Sequence, residues 1–290
     1  MKTKELSFRT SQTASMSTSP EHFEFVIPDF DFSHCDVKSW NGGSAVRSHF
    51  WNTMSSLLPN IEFCAIRSLR PLIAQIEDSK LQRELHLFCD QECAHGTHHG
   101  QFNQDRLHPA YPFFKRLEDW ERHLFSAIVR FLPRRFLLAL FVAVEHWTAA
   151  FSQYGLSEPE AWFRDSDAEM FKLWEWHAVE ELAHKSVCYD VFRYYSGGYL
   201  SLVIGMVFLL LVVMLPGIAL RLLYAFWRDK LWWRPTTYLR LAVYLFGRGG
   251  VLSKTFSVFL KYFNPRFHPW AIDSLTLIDA YRKRHSLKGS

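Results

Sequence analysis

Seven side chains in this sequence have the types and spacing to hold metal ions. Glu92 and His95 stand three apart, as do Glu181 and His184, so in a helix each pair shares one face about a turn apart. His177 lies four residues before Glu181 and extends the second stripe. Di-iron carboxylate bundles are built from such ExxH pairs on two helices, converging with one glutamate from each of two others. Two single glutamates are therefore needed, and Glu62 (in LLPNIEFCAI) and Glu145 (in LLALFVAVEHWTAAF) stand in apolar surroundings. A carboxylate in such a setting is costly to desolvate unless a cation meets it. The order along the chain is Glu, ExxH, Glu, ExxH.

Each element has a plainer reading. A lone ExxH is often a solvated pair, Glu62 could sit at the surface beside Arg67 or Arg70, and Glu145 could pair with a buried arginine. His177 is either a seventh donor or a group that orients Glu181. Glu180 competes with Glu181, but only Glu181 completes ExxH. His98, His99 and His146 are left outside the set; His146 points about 100° away from Glu145 on a helix. Trp147, Phe151, Trp174 and Trp176 read as core, and Cys93 and Cys188 as small buried apolar residues.

Positioning these donors takes helices. Apolar residues recur at three- and four-residue intervals from Ser44 onward, and breakers at Pro59, Pro71, Asp78-Ser79, Pro109, Pro112, Pro133 and Ser157-Glu158-Pro159 divide the run. The pattern predicts helices near 44–57, 60–76, 80–103, 113–129, 134–154 and 167–195, with no strand alternation. Glu62 to Glu92 and Glu145 to Glu181 each span two antiparallel helices and a turn. The longer gap from His95 to Glu145 suits a crossover. The expected class is all-α: a ferritin-like four-helix bundle over 44–196, preceded by a polar tail and irregular arm (1–43) and followed by membrane-associated helices and a tail (197–290).

The last unit is set apart by composition. No charge occurs between Arg193 and Arg221, and Tyr199–Leu220 is long enough to cross a hydrocarbon core. Arg221, Arg228, Lys230, Arg234 and Arg240 then alternate with Trp227, Trp232, Trp233 and Tyr238, a headgroup-level mixture. A second apolar stretch, Tyr238 to Phe263, suits an interfacial return, so the expectation is a dipping hairpin with both ends inside.

Composition excludes other classes. With 33 Lys+Arg against 29 Asp+Glu among 290 residues, the net charge of +4 is too small for nucleic-acid binding. Five cysteines, Cys35, Cys64, Cys89, Cys93 and Cys188, at irregular spacing fit neither a disulfide framework nor a zinc ribbon. The Ser/Thr-rich start lacks the apolar core of a secretory signal.

At the quoted residues the chain resembles a bacterial family of predicted metal-dependent hydrolases. The likeness runs through LLPNIEFCAI, FCDQECAHGTHHGQFN, VAVEHWTAAF and WHAVEELAHKSVCYDVF, and covers roughly residues 25–270. The family looks ferritin-like. The pattern is also similar to the di-iron para-aminobenzoate N-oxygenases, whose last ligand helix carries HxxxExxH; this implies His177 as a ligand beside Glu181 and His184. Those enzymes lack a stretch like 199–220, so their amine substrate is not carried over.

The expected function is a di-iron oxygenase or oxidase, with two iron ions (or manganese) as cofactor and O2 as co-substrate. Glu62, Glu92, His95, Glu145, His177, Glu181 and His184 are its catalytic and metal-binding residues. A donor set without thiolate suits Fe or Mn better than structural zinc. No GxGxxG motif is present, so an electron-donor protein is expected as a partner. The others are a small apolar or lipid-like substrate, the membrane and a second copy in a homodimer, and the expected location is the bacterial inner membrane with the catalytic domain cytoplasmic. Two alternatives stand: a di-metal hydrolase that activates water, and a non-catalytic metal-binding membrane protein.

Overall fold

The computed structural model describes Ser17, Ser19 and residues 26–285, and the expected polar tail otherwise lies outside the described residues. Among these residues the secondary structure is helical, and the nearest approach to a strand is one isolated bridge, Asn41 to Ser166. The helices run α1 (Ala45–Leu69), α2 (Ser79–Phe102), α3 (His108–Ala110), α4 (Pro112–Phe131), α5 (Arg134–Ser157), α6 (Pro159–Phe163), α7 (Ala168–His184) and α8 (Val187–Tyr194), then α9 (Tyr199–Phe208), α10 (Leu215–Arg228), α11 (Pro235–Phe246), α12 (Val251–Lys261) and α13 (Leu275–Arg284).

Four of these form the bundle. α1 packs along α2, and α5 along α7; the two pairs join through α2 against α7 and α1 against α5. The chain crosses from the first pair to the second through α3 and α4, and α4 lies on the outside of α1. Side chains set the starts of α2 and α7: Asp78 accepts from the amides of Lys80 and Leu81, and Asp167 from those of Glu169 and Met170. Each cap satisfies amides that have no intrahelical partner.

The structure corrects two boundaries. The break expected at Pro59 does not occur, and α1 runs through it. Proline removes the bond to the carbonyl four residues back, which is that of Ser55. That oxygen is instead met by the Asn103 side-chain amide at 2.8 Å. The helix expected over 167–195 is interrupted at Lys185–Ser186. There Lys185 turns its ammonium to the Ile272 carbonyl and the Ser274 hydroxyl, both at 2.7 Å, and the Ser186 hydroxyl accepts from the Trp270 indole. Tying in the C-terminal segment outweighs continuing the helix.

Among the described residues, two helices are long and apolar enough to cross a membrane. The first, α5, has 78% of its most apolar window inside the fold, as a central bundle helix must. The second runs unbroken from Tyr199 to Arg228 through a π-helical turn at Leu209–Met214, and only 33% of its window is covered. Its first half leans on α5 and its second on α1. Gly205 allows the approach: a Cβ there would lie 2.9 Å from the Ala139 carbonyl. The apolar stretch after Tyr238 is two helices, α11 and α12, which turn at Gly247–Gly250 and fold back on the bundle.

Arg221 is a further correction, because it turns into the fold rather than outward. It is fully buried, holds both Glu121 carboxylate oxygens at 2.8 and 2.6 Å and donates to Ser56 at 2.9 Å. Removing one member of such a pair strands a buried charge. Glu121→Ala is accordingly expected to destabilise the chain by about 3–5 kcal/mol in denaturant unfolding; a loss under 1 kcal/mol would show the pair to be dispensable.

Candidate metal centre

Each bundle helix brings its donors to one level. Glu62 comes from α1, Glu92 and His95 from α2, Glu145 from α5, and His177, Glu181 and His184 from α7; all seven are at least 96% buried. They gather as two adjoining groups. Glu62, His95 and His177 form one, and Glu92, Glu145, Glu181 and His184 the other, with one donor atom from each residue within 4.8 Å of the rest of its group. Gly96 gives Glu62 its room, since a Cβ there would lie 3.1 Å from Glu62 Oε2.

Two carboxylates lie between the groups. Glu181 Oε1 is 3.0 Å from His177 Nε2 and 3.9 Å from His95 Nδ1, while its Oε2 is 3.4 Å from His184 Nε2. Glu92 Oε1 stands 3.6 Å from His95 Nδ1 and 3.1 Å from His184 Nε2. Glu62 and Glu145 belong to different groups, the first 4.0 Å from His177 Nε2 and the second 3.5 Å from His184 Nε2. Glu92 and Glu181 thus each stand near histidines of both groups, and Glu62 and Glu145 near those of one.

The surrounding hydrogen bonds aim the imidazoles. His95 Nε2 lies 2.9 Å from Glu180 Oε2, which also accepts from the Trp176 indole through Oε1, so Nδ1 faces the cluster. His184 Nδ1 meets Gln91 Oε1 at 3.1 Å, and Nε2 faces inward. For His177 the argument passes through three residues. The Asn103 amide nitrogen donates to the Ser55 carbonyl, leaving its oxygen to accept the Ser55 hydroxyl proton at 2.9 Å. Ser55 Oγ then accepts from His99 Nδ1, His99 Nε2 accepts from His177 Nδ1 at 3.0 Å, and the His177 Nε2 lone pair turns to the cluster. Such outer partners fix tautomer and ring orientation in metal sites.

Charge and burial conflict strongly here. Burial, with Glu92 close by, pushes the Glu62 carboxyl well above its usual range. Burial opposes ionisation of Glu181 too, but the imidazoles of His177 and His184 beside it outweigh that and hold the carboxyl well below. His184 is likewise penalised by burial, yet Glu181 and Glu92 carry it up to about 10. His95 is raised by Glu180 and Glu92 against the same penalty, and burial keeps His99 neutral, well below its usual value.

The donors fit a pair of divalent cations. Glu62 Oε1 and Oε2, Glu92 Oε1, Glu145 Oε2, His95 Nδ1 and His184 Nε2 are buried with no hydrogen-bond partner among the described residues. Buried polar atoms are normally satisfied, and these belong to the two groups. Ionised, the four carboxylates would carry four negative charges, which two divalent cations would cancel.

The other sequence readings divide. Glu180 holds His95 rather than joining a group, and His146 faces away, its Nε2 3.1 Å from the Val258 carbonyl. Cys188 is buried as expected, but Cys93 is exposed, because it follows Glu92 onto the outer face of α2. Sequence reasoning set His99 outside the ligand set, where it stays, and did not reach Ser55, Asn103, Gln91 or Thr148, whose hydroxyl donates to Glu181 Oε2 at 2.6 Å. A signal existed for His99, four residues after His95 on the same stripe.

No curated protein and no solved structure matches the chain. A family model does, and it spans all four donor helices. The chain belongs to the family described as predicted metal-dependent hydrolase, whose model matches residues 27–273.

Proposed function

We propose that the protein is a di-iron oxidoreductase, with manganese as the other metal its donors suit, acting on an apolar substrate at a membrane surface. The observation that carries the reading is the donor set: four carboxylates and three imidazoles with no thiolate, in two groups joined by Glu92 and Glu181. Hard and borderline donors of this kind favour Fe or Mn. A bound pair of ferrous ions would supply reduction of O2 and oxidation of a C–H or N–H bond, with electrons from a donor protein.

The chain's own residues set the conditions. Glu92 and Glu181, which face both groups, would hold metal in each, and Glu62 and Glu145 would each serve one. With metal bound, His95, His177 and His184 would each be held in one tautomer by Glu180, His99 and Gln91. Apolar bundle walls keep water from the reacting groups.

The membrane reading rests on the outer face of Tyr199–Arg228, where Leu200, Ile204, Leu211, Leu215, Leu223 and Trp227 are exposed. Exposed Trp232 and Trp233 follow, interleaved with Arg228, Lys230 and Arg234. This is an apolar stripe edged by indoles and cations, suited to the surface of an anionic bilayer. The expected result is co-sedimentation with vesicles containing anionic lipid, reduced at least tenfold in a Trp227→Glu, Trp232→Glu variant. Equal binding by the variant would remove the surface.

The function itself is tested by loading the protein with Fe(II) without air and admitting O2. Two equivalents per chain should give oxo-bridged ferric absorption in the near ultraviolet and consume an added reductant. Ester cleavage by zinc-loaded protein without O2 would instead support hydrolysis, the activity named in the family description.

A further inference from the structure

The bundle contains an apolar cavity beside the metal centre. Its walls include Leu58 and Ile61 of α1, Val144 and Phe151 of α5, and Leu209 and Met214 from the π-helical turn. That turn lies where the long apolar helix passes from α5 to α1, and so across the seam between them. Leu209 and Met214 are buried against the cavity, while Leu211 and Val212 of the same turn are exposed on the outer face. At its inner side the cavity touches His177 and Thr148.

Most polar groups on the walls are already engaged. Trp51 donates to the Tyr244 hydroxyl at 2.7 Å, Thr148 to Glu181, and Glu175 is held by Arg284 and His285 at 2.8 and 3.2 Å. Two indoles differ. Trp162 and Trp174 also line the cavity, are 1% and 8% exposed, and their N–H groups have no acceptor among the described residues. Both pack against Trp51, at ring-centroid distances of 5.4 and 4.8 Å, and Trp174 lies 6.0 Å from the His177 ring. A buried indole N–H ordinarily has a partner.

We infer that this cavity binds a single hydrocarbon chain bearing an acceptor oxygen, a carboxylate or an ester carbonyl, which Trp162 and Trp174 receive. The walls contribute burial of the chain, and the two donors discriminate an oxygenated amphiphile from a plain hydrocarbon. The part of the chain passing His177 and Thr148 would be the part presented for reaction, a statement that rests on the function proposed above; binding itself does not.

Metal-free full-length protein at one fixed detergent concentration is titrated with a conjugated polyene fatty acid, its methyl ester, and diphenylhexatriene, which has no acceptor. The acid or the ester should bind saturably at one equivalent, and which of them does so identifies the acceptor. Trp162→Phe and Trp174→Phe, which delete the donors and keep an aromatic ring, should each weaken that probe about tenfold, the scale of a hydrogen bond whose buried acceptor is left unpaired, and leave diphenylhexatriene, which reads the change in ring volume alone, unchanged. Ala178→Phe, which fills the cavity wall, should weaken both kinds of probe at least tenfold. All three variants should still bind two metal equivalents, so loss of metal would count against the metal centre and not against the cavity. Unchanged affinity of the oxygenated probe in the tryptophan variants, or no saturable binding, would overturn the inference.

Discussion

Glu181→Ala is expected to lower bound metal from two equivalents per chain to less than one, whereas Glu62→Ala and Glu145→Ala each lose a single equivalent. The difference follows from position. The two Glu181 oxygens face opposite groups, at 3.0 Å from His177 and 3.4 Å from His184, while Glu62 and Glu145 each approach one. Removing the shared carboxylate takes a donor from both sites and leaves His177 and His184 without the acid that faces them. His146→Ala is the control and should retain both equivalents, since its ring bonds the Val258 carbonyl outside the cluster. Elemental analysis after dialysis reads all four variants. Equal loss from Glu62→Ala and Glu181→Ala would remove the distinction between shared and terminal carboxylates.

Metal-free protein is expected to lose stability as pH rises from 6 to 9, and metal is expected to reverse the trend. His184 is raised from 6.5 to about 10 by Glu181 and Glu92 against the burial penalty, and His95 moves the same way. A base whose pKa is raised on folding stabilises fully below its unfolded value and loses that contribution as pH climbs toward the folded one. Glu62, raised by burial, acts in the same sense, because the fold prefers it protonated. Glu181 is lowered, so its contribution is lost only as pH falls below the ordinary carboxylate range of 4.5. The melting temperature of metal-free protein should therefore fall by about 5–10 °C between pH 6 and 9. Cations displace these protons and bind more tightly as pH rises, so the gap between metal-bound and metal-free melting temperatures should widen over the same range. A gap that narrows would contradict the assignment of His184 and His95 to the cluster.

Much of the centre was legible because helical spacing is strict. Glu92 with His95, and His177 with Glu181 and His184, must share a face in any helix that contains them. Glu62 and Glu145 stood out as acids in apolar runs. The choice of Glu181 over Glu180 came from the same rule, and the structure turns Glu180 to the far nitrogen of His95. Helix ends were less legible. Pro59 reads as a breaker because the residue able to satisfy the carbonyl it frees, Asn103, is distant in sequence. Arg221 reads as a headgroup cation for the same reason, its partner Glu121 being supplied by the crossover helix.

By itself, then, the sequence determined an all-α chain, the order of four donor-bearing helices, the donors they carry and the apolar helix that follows, since each is a matter of residue type and local period. Only the tertiary structure decided which carboxylates lie between the two groups, how the Asn103–Ser55–His99 chain orients His177, that the apolar helix lies across the α1–α5 seam, and that two indoles are left lining a cavity. These are relations between residues far apart in the chain, governed by burial and hydrogen-bond satisfaction, which no local pattern encodes.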